Sequence, residues 1–377
     1  MLLTSGPSVD WNGVSVTRSA PSCSLRLQWT FIPLKKILIR ATNWLGDAVM
    51  SLPALRVVRE RFPSAEISVL ARPWVADLYA RESFVDRVIP YTPAGGFHYL
   101  AAKRRAAASL RAECFDCAIL FQNAFEAAAI VWLADIPRRV GYARDGRGWL
   151  LTDPVPVPRH GEIPRHERFY YLELLRRAGL GPELPANPPV RLANPCTDRE
   201  LRIGISPGAA YGTAKRWLPE RFAETAVNVA REHGAAVALF GSASERALCE
   251  QVGAVVRASG VAVHNYAGET SLREFMDLAA RCRIFLTNDS GAMHTASALG
   301  VPTLAVFGAT DDVTTGPTGG FARVLRRHVE CSPCLLRECP IDHRCMTAVT
   351  VDSATAAALL LWKESEREAP WTPEAKS

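Results

Sequence analysis

The chain has 377 residues, 48% hydrophobic and 22% charged, with a formal net charge of +6. That length exceeds one ordinary hydrophobic core and suits two domains of roughly 150 residues, while the composition excludes a largely disordered chain. The charge is uneven: residues 35–177 carry 22 basic and 15 acidic side chains and residues 201–350 carry 15 and 14, so the first half holds the positive field, which suits a phosphorylated substrate or an anionic membrane surface.

Residues 1–33 are rich in Ser, Thr, Gly and Pro without a sustained period and read as a disordered lead or an early start codon. They hold no basic start followed by an apolar block, and no later stretch reaches the roughly 18 uncharged apolar residues of a membrane span. The protein therefore reads as cytoplasmic, with its 10 cysteines mostly reduced. No nucleic-acid motif with interleaved aromatics is present.

From residue 35 the pattern sharpens. Apolar residues 37–39 predict a buried strand, residues 42–46 a loop, and residues 47–61 an amphipathic helix interrupted early by Pro53. Asp47 then lies at the carboxyl edge of the first strand, either a helix-start carboxylate favoured by the dipole or a base. Strands are expected at 66–70, 87–90 and 116–121, with helices at 73–81 and 97–113. The second of these helices carries Lys103, Arg104, Arg105 and Arg111, a solvated basic face or an anion contact. Cys114 and Cys117 straddle a strand start and read as packing residues. Gln122 and Asn123 follow that strand, where polar side chains bind hydroxyls or shape a loop. Residues 138–168 read as irregular, with seven arginines, Arg144 among them, in a long basic loop suited to an anionic acceptor. A helix is expected at 167–178.

Five prolines in residues 181–195 mark a linker. The chain thus divides into a first domain at 34–180, a linker at 181–200, a second domain at 201–350 and a C-terminal helix and tail at 351–377. The second domain opens with a strand at 202–205 that runs into a small-residue loop holding Ser206, Gly208, Gly212 and Thr213, then Lys215 and Arg216. This spacing is neither a P-loop nor a dinucleotide fingerprint. Backbone donors plus a cation are nevertheless the parts of a phosphate site. Pro219 starts a helix running to His233. The strand at 235–240 leads to Glu245, placed either to accept from ribose hydroxyls or to open the next helix.

After a strand at 261–265 and a helix at 272–280, residues 284–308 read as strand, polar corner, helix and strand. Asn288 and Asp289 form the corner. Ser290, Gly291 and Ala292 open the helix with unoccupied backbone N–H groups, a ready anion site, unless Asp289 merely caps it. On this reading Asp47 and Asp289 hold equivalent corners of the two halves. Cys331, Cys334, Cys339 and Cys345 follow, with His343 nearby, at a spacing unlike paired CxxC motifs; they read as a structural zinc site or as reduced loop cysteines. A last helix is expected at 352–364.

Two halves that each open with strand, polar corner and helix predict an α/β architecture of two Rossmann-like domains facing a cleft. NWLGD at 43–47, PGAAYGTAKRW at 207–217, FGSASE at 240–245 and NDSGAMH at 288–294, in that order, resemble glycosyltransferase family 9. Within it they are most similar to the ADP-heptose:lipopolysaccharide heptosyltransferases of the heptosyltransferase II group. The resemblance runs from about residue 35 to the last helix and implies a GT-B fold, with acceptor bound mainly by the first domain and ADP-heptose by the second. It also implies an inverting transfer that requires no metal or other cofactor, with which the lack of a DxD pair in the donor loops agrees.

In that setting Asp47 would take the acceptor hydroxyl's proton. Lys215, the loop holding Ser206, Gly208 and Thr213, and the helix start at Ser290 and Gly291 would hold the diphosphate. Glu245 would take the ribose and Asp289 the heptose hydroxyls, with His294 packing beside the donor. Asn43, Gln122, Asn123 and Arg144 would face the acceptor, heptosyl-Kdo2-lipid A at the inner membrane surface, so that the enzyme works peripherally there. The last helix would cross back to the first domain, anchored by Trp362. Heptosyltransferase I, another sugar-nucleotide transferase of the family, and a non-catalytic two-lobed nucleotide-sugar binder are the alternatives.

Overall fold

The computed structural model describes residues 34–93, 99–193 and 198–367. The lead at 1–33, the first residues of the helix expected at 97–113, residues 194–197 of the linker and the tail from 368 lie outside the described residues.

Strands β1 (Lys36–Arg40), β2 (Glu66–Ala71), β3 (Arg87–Pro90), β4 (Cys117–Leu120), β5 (Arg138–Tyr142) and β6 (Asp153–Val155) form one parallel sheet in the order β3-β2-β1-β4-β5-β6. Strands β7 (Glu200–Ser206), β8 (Ala236–Leu239), β9 (Val263–Asn265), β10 (Cys282–Asn288), β11 (Thr303–Phe307) and β12 (Ala322–Arg326) form a second, in the order β12-β11-β10-β7-β8-β9. The central strands are buried on both faces, which is why β1, β4 and β10 read as continuous apolar runs. Both sheets follow one plan. Each half moves outward from its first strand, then returns to add its fourth strand on the other side. Connections therefore diverge between β1 and β4 and between β7 and β10, opening a crevice at each carboxyl edge.

This order corrects one expectation. Asp47 follows the first strand of its half, whereas Asp289 follows β10, the fourth strand of the other. The counterpart of the Asp47 corner is the Ser206–Lys215 loop, and the counterpart of Asp289 is the turn after β4.

The halves share an apolar seam. One buried cluster runs from Val49, Val75 and Tyr79 of the first half into Met276, Phe285 and Leu299 of the second. At its edges Arg81 pairs with Asp277 at 2.7 Å, Arg165 pairs with Asp311 at 2.6 Å, and the Glu167 amide donates to the Thr314 carbonyl at 3.0 Å.

Elsewhere the structure departs from the sequence pattern for local reasons. The helix expected at 47–61 starts at Leu45 and is two pieces, Leu45–Met50 and Leu52–Arg61, because Pro53 lacks an amide hydrogen and disfavours helical backbone just before it. The stretch read as irregular contains β5 and β6. Their arginines disguise the pattern: Arg138 pairs with Asp153 at 2.8 Å and Arg139 donates to the Leu150 carbonyl at 2.7 Å, leaving Val140 and Tyr142 as the buried alternate positions. The helix Phe125–Leu133 was likewise not anticipated. Cys117 packs in the core, but Cys114 is exposed, in a left-handed turn ahead of β4. The last helix, Val351–Arg367, stays with the second half, packed on the helix Pro219–His233 and on β10–β12, instead of crossing back. Its Ala354, Ala358, Leu361 and Trp362 form one apolar stripe buried in the second core, where Trp362 stacks on His233 with ring centroids 4.2 Å apart.

Candidate active site

The short helix after β1 and the helix Gly291–Ala298 after β10 meet with their starts in contact. Glycine makes this approach feasible. A β-carbon on Gly46 would lie 2.9 Å from the His294 ring, and one on Gly291 would lie 2.8 Å from the Leu45 side chain. Around this junction opens a cavity of about 460 Å³, lined from the first half by Asp47 and from the second by Ser206, Gly208, Lys215, Glu245, Asp289, Ser290, Gly291 and His294. Residues far apart in sequence and expected to share a site therefore do so.

Each is held by identifiable partners. Asn288 pins the corner after β10 to the loop after β7: its Oδ1 accepts from the Trp217 amide at 2.8 Å and its Nδ2 donates to the Pro207 carbonyl at 2.7 Å. Asp289 is 4% exposed, and its Oδ2 accepts from Lys215 Nζ and from the Thr310 hydroxyl, both at 2.6 Å. The Lys215 ammonium also lies 4.8 Å from the centre of the Tyr211 ring. Lys215 is thus positioned in the cavity by a carboxylate and an aromatic face. Ser290 caps its helix, its hydroxyl accepting from the Met293 amide. Glu245 fills one of its two expected roles outright: its Oε2 accepts from the Ser242 amide at 2.9 Å and hydroxyl at 2.8 Å, a capping box ahead of the helix Arg246–Ala258. It also faces the cavity, and glycine at 208 lets its carboxylate lie where a β-carbon would otherwise stand.

Asp47 sits in the first turn of its helix, and burial pushes its pKa up, opposed by the Tyr171 hydroxyl, which donates to Oδ1 at 3.2 Å, and by Lys215. Glu167 stands nearby, raised by burial and then by Asp47. Burial lowers His294 to about 4, with His166 and Lys215 adding to the effect and Asp289 opposing it, so its ring is neutral at pH 7.

Other expected site residues lie outside the cavity. Thr213 is exposed at the start of a 3-10 turn, Thr213–Lys215, that brings Lys215 inward. Asn43 Oδ1 accepts from Arg40 at 3.2 Å and from Arg72 at 3.1 Å, tying its loop together. Gln122, Asn123 and Arg144 gather beside the cavity. Arg147, fully buried, donates to the Gln122 carbonyl and to Asn123 Oδ1; Asn123 Nδ2 and Arg144 both donate to the Tyr170 hydroxyl, at 3.1 and 3.4 Å. Tyr170 precedes Tyr171, the partner of Asp47, and helps line a second cavity of about 340 Å³ with Arg159, Arg165, His166 and Glu167. Tyr171, Thr310 and Glu167 were not singled out by sequence reasoning, and Arg147 was read only as one of the seven arginines of the basic loop. Their types are common and only the fold brings them to the site.

Cys345 is buried against Gly308, Cys334 and Cys339 are half-buried, and Cys331 is exposed. Burial raises the Cys345 thiol, and Cys331, Cys334 and Cys339 add to that. Among the described residues no group of three or more His, Cys, Asp or Glu is arranged to hold a metal ion.

Known proteins match this architecture. The family model for glycosyltransferase family 9 (heptosyltransferase) matches residues 103–344. Lipopolysaccharide heptosyltransferase 2 of Salmonella typhimurium is 34% identical over 306 residues, covering 77% of this chain and 88% of that protein. Lipopolysaccharide heptosyltransferase 2 of Escherichia coli strain K12 is 33% identical with the same coverage. The solved structure of E. coli ADP-heptose lps heptosyltransferase II superposes with a TM-score of 0.73 at 29% identity, covering 88% of this chain and 99% of that one. With two six-stranded parallel sheets meeting at a shared cavity and matches of this extent, the chain is a GT-B enzyme and belongs to glycosyltransferase family 9, the heptosyltransferases.

Proposed function

We propose that the protein transfers L-glycero-D-manno-heptose from ADP-heptose to the lipopolysaccharide inner core with inversion and without a metal, adding the second heptose to heptosyl-Kdo2-lipid A. The observation that carries this is the cavity that sets Asp47 of one half opposite Lys215 and the Ser290–Gly291 helix start of the other, in a chain 34% identical to a lipopolysaccharide heptosyltransferase 2. In this reading the acceptor hydroxyl enters from the first half and Asp47 removes its proton as the oxygen attacks the anomeric carbon. The bond from that carbon to the ADP oxygen breaks, and its electron pair leaves with ADP.

Burial favours this chemistry, because a carboxylate shielded from water holds a proton more strongly and is a better base than an exposed aspartate. The Tyr171 hydroxyl keeps it oriented. Charge growing on the leaving diphosphate is met by the Lys215 ammonium and by helix N–H groups, preorganised where no large side chain intervenes. Glu245 accepts from the ribose hydroxyls through the oxygen not occupied by its capping box. Asp289, already holding Lys215, keeps an edge for heptose hydroxyls, and the neutral His294 ring packs beneath. Asn123 and Arg144, joined through Tyr170, extend the acceptor side, and the enzyme works at the cytoplasmic surface of the inner membrane.

The test is ADP release from ADP-heptose, with a chelator present, comparing heptosyl-Kdo2-lipid A with Kdo2-lipid A as acceptors. Release only with the heptosylated acceptor is expected. Release with the unheptosylated acceptor would reassign the protein to the first heptose, and dependence on added divalent ion would overturn the metal-free mechanism.

A further inference from the structure

The helix Phe125–Leu133 buries Ala127, Ala128, Ile130 and Val131 in the core of the first half, yet holds two large aromatic rings in solvent. Phe125 and Trp132 are seven residues apart and so lie on the same flank two turns apart, each 44% exposed. Trp149, 69% exposed, stands between them from the 3-10 turn Gly148–Leu150, its ring centre 6.3 Å from Phe125 and 6.2 Å from Trp132. Burying a side chain of this size is worth about 1.5–3 kcal/mol. Three such rings clustered in water form a contiguous apolar surface of the kind that marks an interaction site.

The surroundings are basic. The helix Tyr99–Ala112 packs alongside, and its Arg111 donates to the carbonyl of Leu133, next to Trp132, at 2.6 Å. Arg104, two turns earlier on the same flank as Arg111, is exposed, as is Arg105 beside it. The nearby carboxylates are engaged: Asp135 pairs with Arg111 at 2.7 Å, Asp145 with Arg144 at 3.5 Å, and Glu126 accepts from the Tyr91 hydroxyl at 2.5 Å. The first half as a whole carries the chain's positive surplus. Aromatic rings rimmed by arginines are complementary to one surface in particular, an interfacial layer with apolar depth and anionic head groups.

We propose that Phe125, Trp132 and Trp149, with Arg104 and Arg105, dock the protein on a bilayer containing anionic lipid. The rings seat at the head-group boundary and the arginines engage the lipid charge. Phe125 opens its helix at the carboxyl edge of the first sheet, where Asp47 also lies, whereas Trp132 closes that helix ahead of β5 and Trp149 stands beside it, next to Leu150, whose carbonyl reaches Arg139 near the start of β5. Docking on this flank holds the first half, the side proposed to take the acceptor, against the bilayer, which rests on the proposed lipid-anchored acceptor. Among the described residues no helix is long and apolar enough to cross a membrane, and this surface requires none.

The test is sedimentation of the full-length protein with vesicles of phosphatidylcholine alone or with added phosphatidylglycerol. Wild type is expected to sediment with the anionic vesicles only, and less so at about 0.5 M salt. The double variant Trp132→Ala, Trp149→Ala should bind about tenfold more weakly, and Arg104→Ala about fivefold more weakly. ADP release by the double variant with a water-soluble, delipidated acceptor should match wild type, which separates lost docking from lost folding. Equal vesicle binding by wild type and double variant, or no binding by wild type, would overturn the proposal; capture of a protein through these rings without vesicle binding would assign them to a protein partner instead. Vesicle binding lost in the variant while no acceptor supports ADP release would support the docking surface and count against the reaction.

Discussion

The two halves share a strand order but treat the crevice beside their first strand differently. In the second half it is closed by short connections: Asn288 ties β10 to the loop after β7, Asp289 holds Lys215, and the glycine at 208 lets the Glu245 carboxylate lie close to the backbone. In the first half long side chains span wider gaps, with the buried Arg147 bracing the turn after β4 and Arg144 and Asn123 meeting at Tyr170. A half built on backbone and small residues suits a compact ligand with a fixed diphosphate. One built on arginines and tyrosines suits a larger anionic partner whose position is set by several distant groups. Asp47 crosses this division together with its helix start, Leu45 and Gly46, belonging to the first half and facing the second.

Substitutions can break or sharpen the contrast. The largest effect is expected from Asp47→Ala, which should lower turnover by about 10²–10⁴ while leaving ADP-heptose affinity near wild type, on the proposal that Asp47 is the base and that its half takes the acceptor. Steady-state kinetics with isothermal titration checks both, and undiminished turnover would remove Asp47 from the mechanism. Lys215→Ala should reduce turnover by about 10²–10³ and weaken ADP binding as well, because a donor-half cation meets charge in both the bound and departing nucleotide. A loss confined to acceptor KM would contradict the division of labour.

A third comparison uses pH. His294 has its folded-state pKa lowered from 6.5 to about 4, so the folded protein binds fewer protons than the unfolded chain between those values. Its contribution to stability is therefore present above pH 6.5 and lost as pH falls towards 4, by up to about 3 kcal/mol. Urea midpoints measured across that window should fall less steeply for His294→Gln than for wild type. Asp47 runs the other way: its raised pKa means that the ionised form is disfavoured by folding, and the proposed base is lost as pH drops through that pKa. Tyr171→Phe deletes the donor to its carboxylate and should move the acidic limb of the kcat/KM profile upward by about one pH unit, the smallest of these effects. An unmoved limb with lowered kcat would reduce Tyr171 to packing.

Much of the second half was legible in sequence because its site is made where short motifs end strands. Apolar runs such as β10 announce a strand buried on both faces, and Gly, Ser and Asp at their ends announce the turn. The first half hid more. β5 contains two arginines whose partners, Asp153 and the Leu150 carbonyl, lie beyond any local window, so a buried strand reads as a basic loop. Tyr171 and Thr310 reach the site only through tertiary packing. The apparent match of Asp47 with Asp289 arose because both follow a strand and precede a helix; strand order, which no single stretch encodes, separates them. The same is true of Trp362, whose stripe at 354, 358, 361 and 362 predicts a buried face without specifying which sheet it covers.

The paired glycines at the junction carry a mechanical consequence. Gly46 abuts His294 and Gly291 abuts Leu45, so the two halves bear on each other beside Asp47 as well as along their seam and at their edges. A β-carbon at either glycine would act as a wedge at that bearing, prising Asp47 away from Lys215 and Asp289 across the cavity.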